Sequence, residues 1–387
     1  MTTVLHSVRL VDDGRVTDAA WIAFADGTVS ATGTGDTWRA LAAADATAGV
    51  DVVDGGNRYL TPGFVDLHGH GGGGAAFDDG PAAIATGRAI HRAHGTTRAV
   101  VSLVTASIDD LAARAAMVAD LAERDATILG SHLEGPFLDP GHKGAHTESL
   151  LRPADPASVD RLLAAGRGTI RQVTLAPELP GALDAIRRFV AAGTAVAVGH
   201  TGADAAQTAA AFDAGATLLT HAFNAMPGIH HRAPGPIVAA MGDGRVTLEV
   251  IADGIHVHPD VIRLAFAGAP GRIALITDAM AAAGAADGGY VLGGLAVTVV
   301  DGVARLDEGG TIAGSTLTQD AALRLAVDCG VPLPEAVAAL TAVPARALGL
   351  GDRFGSLRAG AAADAVLLDD DLRVEAVWVD GIRVADD

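Results

Sequence analysis

Eight apolar segments rich in β-branched residues recur through the middle of the chain, each followed by a helical pattern or a loop. Near-continuous hydrophobicity is typical of parallel strands that are buried on both faces. Eight such strands alternating with helices predict an α/β fold, a (β/α)₈ barrel of the TIM type. The segments are YLTPGFVDLHGH, TTRAVVSLVT, ATILGSHLEG, TIRQVTLAPE, TAVAVGHT, ATLLTHAFN, RVTLEVIADGIH and RIALITDAM.

The two ends of the chain have a different pattern, in which apolar and polar residues alternate between DG and GG turns. Such alternation predicts short strands joined by tight turns. VLHSVRLVDD near the start and ADAVLLDDDLRVEAVWVDGIRV near the end share it. We therefore expect residues 1–57 and 350–387 to form one small discontinuous β-sandwich domain, beside a barrel of residues 58–349.

Composition and charge argue against several classes of partner and site. The net charge of −19 argues against a nucleic-acid partner, because binding phosphate backbones needs a clustered cationic surface. No apolar run approaches the roughly 18 residues that span a bilayer, and the N-terminus lacks a secretory pattern, so we expect a cytoplasmic protein without a membrane partner. Cys329 is the only cysteine, which excludes an intrachain disulfide and a thiolate metal cage.

Polar residues fall at the ends of six of the eight predicted strands. Because the C-terminal ends of barrel strands form the catalytic face, these side chains are expected to converge. Each has an ordinary alternative role, such as capping a turn or bonding the backbone inside the core. The residues at these positions are His68, His70, Glu134, His200, His221, Asp253, His256 and Asp278.

Five of these residues predict a metal centre when they are taken together: His68, His70, Glu134, His200 and His221. Imidazole and carboxylate ligands suit Zn²⁺ first, with Fe²⁺, Co²⁺ and Mn²⁺ as alternatives. The only lysine, Lys143, lies in a predicted loop, so a carbamylated lysine cannot bridge two ions at a strand end. If two ions bind, we expect one on His68 and His70, one on the other two histidines, and Glu134 between them.

Asp278 is the candidate general base. A carboxylate beside the metal can take a proton from the attacking water and return it to a leaving amine, while the ion polarises the carbonyl. The alternative is a helix N-cap, since Asp278 precedes the apolar segment AMAAAGAA.

At these residues the sequence resembles the N-acetylglucosamine-6-phosphate deacetylases of the amidohydrolase superfamily. The motifs PGFVDLHGHGGGG, HLEGPFL, KGAH, GHT, THAFNAM, ADGIHV, TDAM and AGSTLT occur in the order of that family. The resemblance implies hydrolysis of N-acetylglucosamine 6-phosphate to glucosamine 6-phosphate and acetate, generally by homodimers. Some members of the family lack the first histidine pair and work with one ion, so this sequence, which has the pair, favours two.

The resemblance also implies substrate contacts. Asn224 and the backbone N–H of Ala225 would receive the phosphate, with Arg232 and His256 as cationic partners, one of them reaching in from a neighbouring subunit. In the KGAH motif, Ala145 would lie against the substrate and His146 would hydrogen-bond the acetamide carbonyl. The alternative for Arg232 is a solvated turn residue, since it lies in the turn-rich PGIHHRAPGP.

Two other readings of the sequence stay open. One is a different amidohydrolase activity, such as deacetylation of N-acetylgalactosamine 6-phosphate or hydrolysis of a non-sugar or cyclic amide. The other is a catalytically silent barrel that serves as a scaffold, although such proteins typically lose ligands and this sequence retains all five together with Asp278.

Overall fold

The computed structural model of the protein describes residues 2–44 and 49–384, with residues 42–44 described by their backbone alone. Residues 1, 45–48 and 385–387 of the expected terminal domain lie outside the described residues. The strands are β1 (Thr2–Asp12), β2 (Arg15–Ala25), β3 (Thr28–Thr34), β4 (Val50–Asp54), β5 (Tyr59–Pro62), β6 (Phe64–Asp66), β7 (Gly71–Gly72), β8 (Ala75–Ala76), β9 (Thr96–Val104), β10 (Ile128–Glu134), β11 (Ile170–Leu175), β12 (Ala195–Val198), β13 (Leu218–Leu219), β14 (Thr247–Ile251), β15 (Ile273–Ile276), β16 (Gly288–Leu292), β17 (Leu295–Val300), β18 (Val303–Leu306), β19 (Ala365–Leu368), β20 (Val374–Val379) and β21 (Ile382–Arg383). The helices are α1 (Trp38–Ala44), α2 (Pro81–Ala93), α3 (Ile108–Ala122), α4 (Pro156–Gly166), α5 (Ala182–Ala191), α6 (Ala205–Asp213), α7 (Gly235–Gly242), α8 (Pro259–Gly268), α9 (Gln319–Asp328), α10 (Leu333–Leu340) and α11 (Ala342–Ala347).

Eight parallel strands form the barrel sheet, in the order β6, β9, β10, β11, β12, β13, β14 and β15. An α-helix follows each of them along the chain, from α2 after β6 to α9 after β15. The apolar side chains of strands and helices form one continuous buried cluster, as expected when both faces of a parallel sheet are covered. The predicted (β/α)₈ barrel is confirmed.

Short-range capping fixes where several barrel helices begin. Ser107 accepts a hydrogen bond from the N–H of Asp110 at the start of α3, and Asp155 caps α4 in the same way. Helix α6 opens with a reciprocal capping box between Asp204 and Gln207. Each such cap stabilises its helix by roughly 0.5–2 kcal/mol.

Among the described residues, no helix is both long and apolar enough to cross a membrane.

The barrel closes just beyond its first and last strands. The carbonyl oxygen of His68 accepts a hydrogen bond from the N–H of Asp278 at 2.8 Å. The N–H of His70 donates to the carbonyl of Ala279 at 2.7 Å. Residues that the sequence predicts as functional therefore also join β6 to β15.

Both ends of the chain contribute to a second, mixed sheet. Its order is β3, β2, β1, β5, β19, β20 and β21, and β4 pairs with the other end of β1. Strand β5 runs parallel to β1 and antiparallel to β19, so it joins the N-terminal and C-terminal segments in one continuous sheet. Leu5, Ile22 and Trp378 are buried in its core. The predicted sheet-rich domain from both termini is confirmed.

The predicted first barrel strand, residues 59–70, was wrong in its extent. Tyr59–Pro62 belongs to the terminal sheet, and only Phe64–Asp66 pairs within the barrel. Gly63 lies between them, and its N–H donates to the carbonyl of Asp364 at 2.8 Å. A Cβ atom there would lie 2.2 Å from Thr97 Oγ1, so the crossing needs a glycine. The first domain boundary therefore moves from residue 57 to Gly63.

A three-stranded antiparallel sheet, β16–β18, was not predicted. Leu292 and Val297 of this sheet pack with Val104 at the end of β9 and with Met280 just after β15. The small sheet therefore lies beside the C-terminal end of the barrel. Its signal was present in GGYVLGGLAVTVVDGVARL, where apolar positions alternate between GG and DG turns.

Arg98 of β9 ties the barrel to the terminal sheet. Its fully buried guanidinium donates to both carboxylate oxygens of Asp364, at 2.6 and 2.9 Å, and to Asp380 at 2.6 Å. The planar fork of an arginine suits this two-point contact with a carboxylate.

Candidate functional site

The five side chains predicted as metal ligands lie together at the C-terminal end of the barrel. The Nε2 atoms of His68 and His70 are 3.0 Å apart, as are those of His200 and His221. Glu134 lies between the two pairs: Oε1 is 3.1 Å from His200 Nε2, and Oε2 is 3.1 Å from His70 Nε2. This is the arrangement expected of a carboxylate shared by two ligand pairs.

The donor atoms of this cluster fit a divalent cation. Two unprotonated imidazole nitrogens 3.0 Å apart repel each other unless a proton or a cation lies between them. Two sets of buried side chains each bring three donor atoms within 4.8 Å of one another. One set is Glu134, His146 and His200, and the other is His68, His70 and Asp278. Imidazole and carboxylate groups are donors that several divalent transition metals accept. His146, predicted as a catalytic residue and a substrate contact but not as a metal ligand, belongs to one of these sets.

The electrostatics of the cluster favour an added positive charge. Burial opposes protonation of His70, yet hydrogen bonds to Asp278 and Glu134 raise its pKa to about 9. Burial would raise the pKa of Glu134, but His68 and His146 hold that pKa well below its usual range. Glu134 is therefore ionised at neutral pH, and without a metal His68 and His70 beside it retain protons.

Unusual backbone conformations turn several of these side chains into the mouth of the barrel. His200, His221 and Asp278 have φ angles of 47°, 27° and 46°, and Ala225 has 50°. Residues other than glycine rarely adopt this left-handed region, and each costs about 1–3 kcal/mol. Such strain typically clusters at functional sites, where surrounding contacts hold it in place.

A cavity of about 620 Å³ opens beside the cluster. This volume is in the range of pockets that bind small molecules. His70, Glu134, His200, His221 and Asp278 line it together with the predicted substrate contacts Ala145, His146, Asn224, Ala225 and His256.

Two of the polar residues that line the cavity, Asn224 and His256, are available to a ligand. The Asn224 side-chain amide makes only long contacts, of 3.4 and 3.5 Å, with the carbonyls of His221 and Ala222. Burial opposes protonation of His256, but the hydrogen bond to Asp253 and the negative charges of Asp253 and Asp278 together raise its pKa. An imidazole with a raised pKa and a weakly bonded amide suit an anionic group.

Arg232 is not brought to the cavity. It is exposed and does not line the cavity, and its Nη1 lies 2.6 Å from Nε2 of the adjacent His231. Within one chain, the predicted pair of phosphate cations is therefore reduced to His256.

His146 has a tautomer that a hydroxyl group can select. Its Nδ1 lies 2.9 Å from Thr105 Oγ1, and this hydroxyl donates to the carbonyl of Glu134 at 3.0 Å. Burial lowers the pKa of His146 to about 4, so the imidazole is neutral. While the Thr105 hydroxyl donates to the carbonyl of Glu134, its oxygen can only accept a hydrogen bond from His146. His146 then carries its proton on Nδ1, and Nε2 is unprotonated. Rotation of the hydroxyl toward Nδ1 would place the proton on Nε2, as donation to a substrate carbonyl requires.

The comparison with protein families agrees with this geometry. Residues 59–384 match the family model described as the amidohydrolase family. The chain belongs to the amidohydrolase family. The match runs from β5 to the end of the described chain, so it includes the whole barrel and its ligand cluster.

Curated relatives of this amidohydrolase cover nearly its full length. An N-acetylgalactosamine-6-phosphate deacetylase of Escherichia coli O157:H7 is 40% identical over 98% of this chain and 99% of the relative. An N-acetylglucosamine-6-phosphate deacetylase of Vibrio furnissii is 36% identical over 90% and 88%. The resemblance stated from the motifs is confirmed.

A solved structure gives the same result for the amidohydrolase fold. An N-acetyl-D-glucosamine-6-phosphate deacetylase mutant from Mycobacterium smegmatis, in complex with N-acetyl-D-glucosamine-6-phosphate, is 45% identical and has a TM-score of 0.91. The alignment covers 99% of this chain and 98% of that one.

Several residues of the amidohydrolase site were missed by sequence reasoning. Glu249 and His132 are buried inside the barrel close to His68. They lie within apolar strands, where the sequence does not show to which face of the sheet a single polar side chain points. Thr311 and Ile312 line the cavity from the segment after β18, and only the strand alternation before them could have drawn attention to this region.

Proposed function

We propose that this amidohydrolase removes the N-acetyl group of N-acetyl-D-glucosamine 6-phosphate, giving D-glucosamine 6-phosphate and acetate, in amino-sugar catabolism. The observation that carries the proposal is the convergence of Glu134, Asp278 and the histidine cluster on a cavity that Asn224 and His256 also line. Near-full-length relatives named for this activity support it. We propose the cytoplasm as its compartment, because a charged sugar phosphate does not cross a bilayer unaided.

We propose zinc as the metal, with one ion on His68 and His70, a second on His200 and His221, and Glu134 between them. Fe²⁺, Co²⁺ and Mn²⁺ suit the same donors. When bound, the ion supplies Lewis-acid polarisation of the amide carbonyl and makes water a stronger acid. Metal analysis of the purified protein and of His68→Ala tests the pairing. One ion per chain in both would contradict it.

Asp278 would act as general base and then as general acid. Its Oδ1 lies 3.4 Å from the Nε2 atoms of both His68 and His70. Burial would raise its pKa, but the positive charge of His68 and the hydrogen bond from His70 hold that pKa below its usual range, so Asp278 is ionised and can accept a proton. It takes this proton from the water whose oxygen adds to the acetamide carbon. The same proton then passes to the amine nitrogen as the C–N bond breaks and acetate leaves.

His146 would hydrogen-bond the acetamide carbonyl, and Ala145 would lie against the acetyl group. The Nε2–H tautomer that this bond needs is reached when Thr105 turns its hydroxyl toward His146 Nδ1. At the other end of the substrate, Asn224, the Ala225 N–H and His256 would receive the phosphate.

We propose a homodimer in which Arg232 serves the phosphate site of the neighbouring subunit, because it lies outside the cavity of its own chain. Mixing two inactive variants tests this. Co-refolded Arg232→Ala and Asp278→Asn chains should regain activity, since one active site of each heterodimer then has both residues. No recovery in verified heterodimers would contradict a contribution from the neighbouring subunit.

Acetate release from a phosphorylated and an unphosphorylated substrate tests the function. We expect the highest kcat/KM on N-acetylglucosamine 6-phosphate and a large loss on unphosphorylated N-acetylglucosamine. A preference for the unphosphorylated sugar would contradict the phosphate site. A metal-loaded wild type as inactive as Asp278→Asn would favour a silent scaffold.

Deacetylation of N-acetylgalactosamine 6-phosphate is a second candidate. It is favoured by the 40% identical relative of that name, which matches 98% of this chain. The two sugars differ only in the configuration at C4, so the ratio of their kcat/KM values decides between them.

A further inference from the structure

Glu249 is a fully buried carboxylate in the interior of the barrel, in the middle of strand β14. Its Oε1 accepts a hydrogen bond from Gln172 Nε2 at 2.7 Å. Its Oε2 has no hydrogen-bond partner within the described residues and points to His68 Nδ1, 3.6 Å away. An ionised carboxylate removed from water is costly unless it is paired, so this orientation needs an explanation.

His68 Nδ1 is likewise buried and without a hydrogen-bond partner among the described residues. The other nitrogen of the same ring, Nε2, faces the ligand cluster and lies 3.3 Å from Glu134 Oε1. A neutral imidazole that binds a cation through Nε2 must carry its proton on Nδ1. Glu249 Oε2 is the acceptor that faces this proton, and a shift of a few tenths of an ångström brings the two atoms within hydrogen-bond distance.

The two histidine pairs differ in this respect. His200 Nδ1 lies 2.9 Å from the backbone carbonyl of His142, which is a neutral acceptor. His68 faces a carboxylate instead. A carboxylate acceptor increases the electron density on the opposite ring nitrogen more than a carbonyl does, and so strengthens that nitrogen as a ligand.

We propose that Glu249 is a positioning residue that accepts the Nδ1 proton of His68, fixes its tautomer, and strengthens metal binding by the His68–His70 pair. The inference rests on the proposed metal-dependent function. Gln172 has the supporting role, because its amide holds the far oxygen of the carboxylate and leaves the near one directed at His68.

Metal affinity gives the first test. In Glu249→Gln, which keeps the shape and removes the charge, we expect the zinc ion on the His68 side to bind about 10- to 100-fold more weakly in chelator competition. The ion on the His200 side should keep its affinity. Ser131→Ala is the matched control, because Ser131 Oγ is also buried and unpartnered, and Ser131 is the strand neighbour of His132, whose ring contacts His68, so the two side chains point to opposite faces. It should leave both affinities unchanged.

Imidazole nitrogen NMR of the zinc-loaded protein gives a second readout, which does not depend on activity. The wild type should show a His68 signal with a protonated, exchange-protected Nδ1 and a coordinated Nε2. Glu249→Asp, which keeps the charge but shortens its reach, should weaken that protection and assigns the signal. An exposed or unprotonated Nδ1 in the wild type would overturn the inference.

The failures of the two proposals are distinguishable. A wild type that binds no divalent ion, or that binds it and deacetylates no sugar phosphate, contradicts the proposed function. A wild type that does both, with Glu249→Gln binding both ions as tightly as the wild type, overturns only the role of Glu249.

Discussion

His256 Nδ1 lies 2.6 Å from Asp253 Oδ2, and both side chains are about nine-tenths buried beside the cavity. Two backbone N–H groups, of Ile255 and His256, also donate to the other oxygen of Asp253 at 2.8 Å. The carboxylate is therefore held in place, and it keeps a cationic imidazole directed at the proposed phosphate site.

This pair predicts how substrate binding depends on pH. The pKa of His256 is raised above its ordinary value, so the cation is present below that pKa and is lost as the pH rises through it. We expect KM for the phosphorylated substrate to increase as the pH rises through the pKa of His256. In Asp253→Asn this increase in KM should occur at lower pH. The unphosphorylated sugar is the control, and a similar increase for it would argue against a phosphate contact.

Asp278→Asn should lower kcat by roughly 10²- to 10⁴-fold, because an amide cannot take the proton from water. Its shape is preserved, so the metal content should remain that of the wild type. Acetate release and metal analysis on the same preparation check both expectations. Loss of the ion together with activity would assign Asp278 to metal binding rather than to proton transfer.

Thr105→Val should impair catalysis through His146. It removes the hydroxyl that lies 2.9 Å from His146 Nδ1 and leaves a side chain of nearly the same size. We expect kcat to fall about tenfold, which corresponds to about 1.4 kcal/mol, with unchanged metal content. Thr105→Ser retains the hydroxyl and should retain most of the activity. Equal damage in both variants would point to packing instead.

Metal uptake should release protons. In the metal-free protein the pKa of His70 is raised to about 9, so this imidazole is protonated at neutral pH and must lose its proton to become a ligand. Affinity should therefore increase as the pH approaches 9 and decrease toward acid. Calorimetric titrations in buffers of different ionisation enthalpy measure the protons released. A binding enthalpy independent of buffer would contradict this.

Asp364→Ala should destabilise the protein strongly, since it leaves the fully buried Arg98 with the partly exposed Asp380 as its remaining carboxylate partner. Removing one member of a buried pair costs about 3–5 kcal/mol. Asp380→Ala should cost much less, because Asp364 still engages the guanidinium at two points. Urea unfolding measures both. As a control, loss of the exposed Arg245–Asp213 pair should have little effect.

The sequence allowed the convergence of the five candidate metal ligands to be predicted, because these residues follow parallel strands. The C-terminal ends of such strands meet in any barrel, so His200 and His221 could be placed together without knowing one contact between them. The metal choice stayed open, since imidazole and carboxylate donors suit several ions.

Other features depend on contacts that no local pattern encodes. Glu249 lies inside an apolar strand, and only the assembled barrel directs it at His68. The exposure of Arg232 follows from the path of a turn-rich segment. Tyr59–Pro62 is as apolar as a barrel strand, and its pairing with β1 and β19 is decided by the arrangement of both termini.

The hydrogen bonds between His68 and Asp278 and between His70 and Ala279, which close the barrel, imply that metal binding affects the stability of the fold. A cation held by His68 and His70 would bind at the two residues whose backbone groups already join the first strand of the barrel to its last. Its binding energy would then add directly to the stability of the fold. On metal loading, the rate of amide hydrogen exchange should decrease more along β6 and β15 than elsewhere. The ion would then stabilise the fold as well as serve catalysis.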